Sequence, residues 1–381
     1  MTKRAINSLA DLADPVRCPR LVVKVGSALL VDGHGPRRAW LAGLVAELAA
    51  RRAAGQQIIV VSSGAIALGA RRLGLDKGGR GSLADAQAAA AVGQIALSGL
   101  WAELLGNHDL AAAQLLLTLE DMEDRRRYLN AAATLARLLD AGAVPVVNEN
   151  DSVATEEIRF GDNDRLAARV AQAARADAVL LLSDVDGLYD RHPQEAGARR
   201  LPLVRGITPE VRAMASNKSG SGMGSGGMAS KLQAAEIAER AGIVLAIGNG
   251  HVAGPLARVC GEAIGTLFVP RASGRAAARK VWLGGRLRLK GQIAIDAGAA
   301  RALGCGASLL AAGITGVAGN FSRGDAVAIA GPDGTVLAHG LAEYDSSECA
   351  AIAGRQSAEQ AALLGYAPRS AVVHRDQLVL L

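Results

Sequence analysis

The residues best suited to chemistry in this chain are two polar clusters, Asn148-Glu149-Asn150-Asp151 and Gly161-Asp162-Asn163-Asp164. The first ends an apolar run, Val144–Val147, and the second precedes a segment with a helical pattern. A short apolar run bounded this way reads as a buried parallel strand. Ligands of open α/β sheets sit beyond the carboxyl ends of their strands. Carboxylates pair with a ligand ammonium, while amides and helix N-terminal N–H groups hold a ligand carboxylate. Together those preferences describe a free α-amino acid. Turn formation and helix capping would explain one such cluster. Two clusters around one strand end point to a ligand.

Cations for phosphate occur at two other places. Lys24 ends a strand candidate and stands beside Gly26-Ser27. Small residues let the backbone approach a ligand, and Lys offers a point charge to phosphate. Ser219–Lys231 (SGSGMGSGGMASK) is a Gly/Ser run leading into a helix with Lys231 in its first turn. Unpaired N–H groups and the positive end of the dipole suit a helix start to phosphate. No Gly-Lys-Ser/Thr follows the glycines, so this is not a Walker A loop. A flexible linker would not explain why the glycines abut a lysine at a helix start. Ser183-Asp184 ends a further strand and reads as a nucleotide-side edge. Ser63-Gly64 ends another and offers a hydroxyl and N–H groups to a substrate.

These groups need a scaffold, and the hydrophobic pattern describes one. Leu21–Val25, Ile58–Val61, Leu110–Leu117, Val144–Val147, Val179–Leu182 and Ile243–Ile247 read as strands. Helical stretches separate them: residues 37–54, with Leu41, Leu44, Val45 and Leu48 on one face, an Ala-rich stretch broken around Gly74–Gly81, 127–141, and 231–240. Strands alternating with helices predict an open, mostly parallel sheet with helices on both faces. The pattern changes near Pro270. Residues 271–280 are basic and weakly patterned, and from about Gly285 the segments are short, turn-rich and β-like (Gln292–Ile295, Ala326–Ala330, Val336–His339). A second, mostly-β module of common domain size is expected there. The first twenty residues read as a loose N-terminal extension.

Bulk properties narrow the function classes. Hydrophobic residues make up 50% of 381 but aromatics only 3%, so the core is built from Ala, Val, Leu and Ile. The formal net charge is +6, yet residues 281–381 carry eight basic and eight acidic residues, so the excess lies upstream. RNA binding relies on basic surface and stacking aromatics. The neutral tail, with only Trp282, Phe321, Tyr344 and Tyr366, argues against it. Cys18, Cys260, Cys305 and Cys349 are widely spaced, which fits a reduced cytoplasmic protein. The histidines show no metal-ligand spacing, no apolar run is read as reaching transmembrane length, and the N-terminus lacks a signal-peptide core.

Six segments carry a family resemblance by their order and spacing: LVVKVGSALL, VVSSGAIALG, VPVVNENDSVAT, FGDNDRLAA, LLLSDVDGLY and GSGGMASKLQAA. In these the chain is similar to the glutamate 5-kinases of the amino-acid kinase superfamily, from about Leu21 onward. The tail (ITGVAGNFSRGDAVAI, AHGLAEYDS) resembles the PUA domain that follows the kinase domain in bacterial members. The resemblance implies an amino-acid kinase fold over 21–270, a linker over 271–284 and a PUA-like barrel over 285–381, after an extension over 1–20. It implies ATP-dependent phosphorylation of the L-glutamate γ-carboxylate, the first step of proline biosynthesis, with Mg²⁺ accompanying ATP. Carried over by position, Lys24, Ser183, Asp184 and Ser225, Gly226, Gly227, Met228, Ala229, Ser230 and Lys231 would handle ATP. Ser63, Gly64, Asn148, Asp151 and Asn163 would hold glutamate. Asp164 would position the two lysines, and Asp162 is a candidate for the same role. A cytoplasmic homo-oligomer is implied, dimer or tetramer, with a dehydrogenase consuming the labile acyl phosphate. Neither membrane nor nucleic acid is expected as a partner. Ala28 and Asn217-Lys218-Ser219 depart from the family pattern without touching these residues. The other readings are a different kinase of the superfamily, a PUA-containing RNA-binding protein and a non-catalytic amino-acid sensor. Lys-Val-Gly-Ser in place of a double-glycine turn argues against acetylglutamate kinases and aspartokinases. The intact lysine pair argues against a sensor.

Overall fold

Alternation along the strands decides which residues meet which helices. The structure is a computed structural model and describes residues 5–153, 162–216, 227–271 and 289–381. The strands of the first unit are β1 (Arg20–Val25), β2 (Gln57–Ser62), β3 (Ala112–Leu117), β4 (Val144–Glu149), β5 (Ala178–Ser183), β6 (Leu203–Arg205), β7 (Val244–Asn249) and β8 (Thr266–Val269). Among the described residues they form one sheet in the order β3-β4-β2-β1-β5-β7-β8-β6. It is parallel from β3 to β7. β8 runs antiparallel to β7 and carries β6 parallel to itself. β1 lies in the middle, with Lys24 level with Val61 of β2 and Leu181 of β5.

The longer helices of this unit include α1 (Arg38–Ala53), α2 (Ala65–Leu73), α3 (Leu83–Gly106), α4 (Arg125–Asp140), α5 (Asp162–Ala173) and α6 (Met228–Arg240). Successive side chains of a strand point to opposite faces. Leu21, Val23 and Val25 pack with Leu41, Leu44 and Leu48 of α1 and Leu97, Trp101 and Leu105 of α3. Val22 packs on the other face, with Leu166 and Val170 of α5 and Leu232 and Ala235 of α6. Lys24 shares the parity of Val22, so β1 aims the Lys24 ammonium at the face covered by α5 and α6.

Helix α3 has 24 residues and is apolar enough to cross a membrane, contrary to the expectation that no run would reach that length. Asp85, Gln94 and Glu103 obscure its apolar character in the sequence. Its buried residues, Leu97, Trp101 and Leu105 among them, pack in the core, which is the place of a core helix. Ser82 opens it by accepting a hydrogen bond from Asp85 N. α2 and α3 approach backbone to backbone: a Cβ at Gly69 would lie 1.8 Å from Ala89 O, and one at Gly93 would lie 1.7 Å from Ala65 O.

The N-terminal segment is not a loose extension where it is described. Ile6, Leu9, Leu12 and Cys18 are buried in the core, and the Gln56 amide donates to Leu12 O at 2.8 Å and Cys18 O at 2.7 Å. Asp11 and Asp14 hide this apolar spacing in the sequence.

By its contacts the chain divides into Met1–Ser273 and Gly274–Leu381. The second unit holds β9 (Gly291–Ile295), β10 (Ile314–Gly319), β11 (Ala326–Ala330), β12 (Val336–Leu341) and β13 (Leu378–Leu380). They form a mixed sheet in the order β10-β9-β11-β12-β13. Its own core includes Ile293, Phe321, Ile329, Tyr344 and Val373.

Candidate active site

The carboxyl ends of β1, β2, β4 and β5 bring one residue each to a common edge: Lys24, Ser63 just past β2, Asn148 and Ser183. The amino end of α5 comes down onto that edge with Asn163 and Asp164. The amino end of α6 adds Lys231.

Asp164 is the centre of the charge arrangement and is wholly buried. Lys24 Nζ lies 2.7 Å from its Oδ1 and Lys231 Nζ 3.2 Å from its Oδ2. Both lysines are buried as well. Burial works to raise the Asp164 carboxyl. The two ammonium groups outweigh burial and hold it below the usual carboxylate range. One carboxylate therefore fixes two cations from distant elements, with a net charge of +1 for the trio. A Cβ at Gly26 would sit 3.7 Å from Lys24 Nζ, at ordinary van der Waals contact.

Beside this trio runs a chain of amides. Asn163 Nδ2 donates to Ser63 Oγ at 2.9 Å and to Asn148 Oδ1 at 3.2 Å. Asn148 Nδ2 donates in turn to Gln94 Oε1 of α3 at 2.9 Å. Gln94 Nε2 donates to Ser98 Oγ, which donates to Gln114 Oε1 of β3 at 2.8 Å. These contacts turn Asn163 Oδ1 inward, buried and without a hydrogen-bond partner among the described residues. An unsatisfied buried acceptor is costly in a folded protein and marks a place for a donor. Gly64 follows Ser63 with φ 112°, a left-handed conformation that favours glycine and begins α2.

Asp151 is buried and lies close enough to Arg80 for their charges to interact. A cavity of about 430 Å³ adjoins it, bounded by Gln94, Ser98 and Gln114 on one side and by Glu149, Asn150 and Asp151 on the other. At the opposite end of the site, Ser183 Oγ donates to Asp184 Oδ1 at 2.8 Å. Among the described residues no cluster of His, Cys, Asp or Glu could hold a metal by itself.

The structure thus brings together Lys24, Asp164 and Lys231, and, next to them, Ser63, Asn148 and Asn163. Ser183 and Asp184 close the β5 side. Gly227 precedes α6, and Met228, Ala229 and Ser230 form its first turn ahead of Lys231. Ser225 and Gly226 lie outside the described residues. Asp162 opens α5, and its side chain is likewise outside them. Sequence reasoning missed Gln94 and Ser98, because nothing in an Ala-rich helix tells which of its polar residues face the sheet, and it also missed Gln114 on β3 and Arg80 in the turn ahead of α3.

Residues 19–249 match the model of the amino acid kinase family, and residues 291–364 match that of the PUA domain. The chain is 69% identical over 377 residues to a glutamate 5-kinase of Novosphingobium aromaticivorans, covering 99% of this chain and 100% of that one. It is 62% identical to a glutamate 5-kinase of Sphingopyxis alaskensis, covering 97% and 100%. This chain belongs to the glutamate 5-kinase family. The family's two-part architecture, an amino acid kinase fold followed by a PUA domain, is the one the strands describe: a mostly parallel sheet with helices, then a separate mostly-β sheet. A glutamate 5-kinase of Zymomonas mobilis extends the likeness at 56% identity over 96% of this chain and 92% of that one.

Proposed function

We propose that this protein phosphorylates the γ-carboxylate of L-glutamate with ATP, giving L-glutamyl 5-phosphate, the first step of proline biosynthesis. The observation that carries the reading is the buried Lys24–Asp164–Lys231 trio beside the Ser63–Asn163–Asn148 amide chain. The trio suits transfer between two anions. A glutamate side chain has a pKa of about 4.3, so the nucleophile is ionised at neutral pH and needs no general base. Phosphoryl transfer then rests on positioning and charge stabilisation. Lys24 and Lys231 offset repulsion between carboxylate and phosphate and stabilise charge on the transferring group. Asp164 holds both ammonium groups in place and touches neither substrate. The Gly227–Lys231 helix start, with Ser183 and Asp184, borders the nucleotide.

Glutamate recognition follows from the second cluster. The inward Asn163 Oδ1 and the Asp151 carboxylate accept from the α-ammonium. Ser63 and the N–H groups following Gly64 hold a carboxylate. Mg²⁺ accompanies ATP: with Asp164 committed to two lysines, the donor set fits an ion bound largely through the nucleotide's phosphates, where it neutralises their charge. A cytoplasmic homo-oligomer, dimer or tetramer, and a dehydrogenase that consumes the labile acyl phosphate complete the reading.

The test is hydroxamate formation with Mg-ATP, hydroxylamine and L-glutamate. Reactions with L-aspartate and N-acetylglutamate run beside it, and UMP is followed by ADP release. Signal with glutamate alone is expected. Turnover on another acceptor, with none on glutamate, would keep the fold and overturn the substrate.

A further inference from the structure

A buried hydroxyl on β8 fastens the loop that leaves β5. Thr266 is fully buried. Its Oγ1 accepts a hydrogen bond from Leu188 N at 2.8 Å and donates to Leu201 O at 2.6 Å. Leu201 N donates to Leu188 O at 2.8 Å, and Tyr189 pairs with Arg200 beyond them, so residues 188–201 form a hairpin-like excursion. Thr266 bridges both strands of its base. Gly187 packs on the same residue: its φ is 151°, and a Cβ there would lie 2.3 Å from Thr266 Oγ1.

The other end of the connection is fixed by the sheet. Gly250 N donates to Ser183 O at 2.7 Å, and Ser183 pairs with Asn249 of β7. Between these two anchors lie only Asp184, Val185, Asp186 and Gly187. Both ends of this four-residue connection are hydrogen-bonded, so Asp184 can lie only within reach of the two anchors. We infer that Thr266 is a positioning residue for the nucleotide: its hydroxyl fixes the base of the 188–201 excursion and thereby the place of Asp184. The inference rests on the reading that Ser183 and Asp184 border ATP.

Thr266→Val keeps the shape and removes both hydrogen bonds, whereas Thr266→Ser keeps both. The Val variant is expected to raise KM for Mg-ATP about five- to fifty-fold, with KM for L-glutamate and kcat at saturation within about two-fold of wild type. The Ser variant should stay near wild type. Equal increases in both KM values, an unchanged KM for ATP, or a Ser variant as impaired as Val would each overturn the inference. Direct titration of wild type and both variants with Mg-ATP, without any acceptor, separates this outcome from failure of the glutamate assignment. Hydrogen exchange in the wild type gives a measurement independent of whether the variants fold. Mg-ATP should slow exchange across 184–201 and L-glutamate alone should not; an excursion indifferent to ATP would also overturn the inference.

Discussion

Replacing Asp164 by Asn is the most informative perturbation of this molecule. The change keeps size and shape but leaves two buried ammonium groups facing a neutral amide. At an effective dielectric of about 20, contacts of 2.7 and 3.2 Å correspond to gross attractions of about 6 and about 5 kcal/mol. Desolvation of the three groups cancels much of this, and removing one partner of a buried pair costs about 3–5 kcal/mol in practice. Asp164→Asn should therefore lower the unfolding free energy of the kinase unit by about 3–5 kcal/mol in urea titration. Adding Lys24→Met removes one of the stranded cations. The double variant should then be no less stable than Asp164→Asn alone, with a coupling of at least about 2 kcal/mol in the cycle. The sign with pH is fixed by the depressed carboxyl. A group whose folded pKa lies below its unfolded value of about 3.9 stabilises above that value, and loses its effect as pH falls through the folded pKa. The gap between wild type and Asp164→Asn should thus persist at pH 5 and close only below the ordinary carboxylate range. Hydroxamate turnover should fall with stability, since the lysines lose their common anchor. An Asp164→Asn protein within about 1 kcal/mol of wild type, or strict additivity with Lys24→Met, would refute the reasoning.

Three further outcomes are expected. Lys24→Ala and Lys231→Ala should each lower kcat at least about a hundred-fold while circular dichroism stays native, because each removes transition-state charge stabilisation; wild-type-like turnover in either would sink the assignment. Asp151→Asn should raise KM for L-glutamate about ten- to a hundred-fold by weakening a charge-assisted contact, with KM for ATP unchanged; an unchanged glutamate KM would count against an ammonium contact. Gly93→Ala forces a Cβ to within 1.7 Å of Ala65 O, so α2 and α3 must separate; a loss of about 1–3 kcal/mol or more is expected in thermal or urea unfolding, and a neutral effect would mean that the helix contact is not tight.

The legible parts of this chain were those whose chemistry is local. β1, β2, β4 and β5 are runs of Val, Ile and Leu that end in polar residues, and such runs have few readings other than buried parallel strands. Lys24, Asp164 and Lys231 stood out because each closes or opens an element next to glycine or Asn/Asp. Which of them would meet depends on the parity of Lys24 along β1 and on α5 and α6 covering one face, and no local pattern carries that. Gln94 and Ser98 were invisible for a similar reason: α3 is so rich in Ala that its facing sides cannot be told apart by hydrophobicity. Thr266 reads as an ordinary strand threonine until the excursion that it fastens is seen. The burial of the N-terminal segment does not show in the sequence because Leu12 lies in a four-residue 3₁₀ turn, with Leu9 just ahead of it, too short to show a period.

The three charged groups of the trio also bear on folding order. Lys24 comes from the first strand, Asp164 from the middle of the kinase unit and Lys231 from a helix near its end. During synthesis β1 and α5 leave the ribosome well before α6, so the site stays incomplete until α6 docks against α5. A chain stalled or truncated ahead of α6 is an assembly with one cation missing, and on this mechanism it spends no nucleotide. Activity then reports on completion of the fold as well as on the presence of substrates.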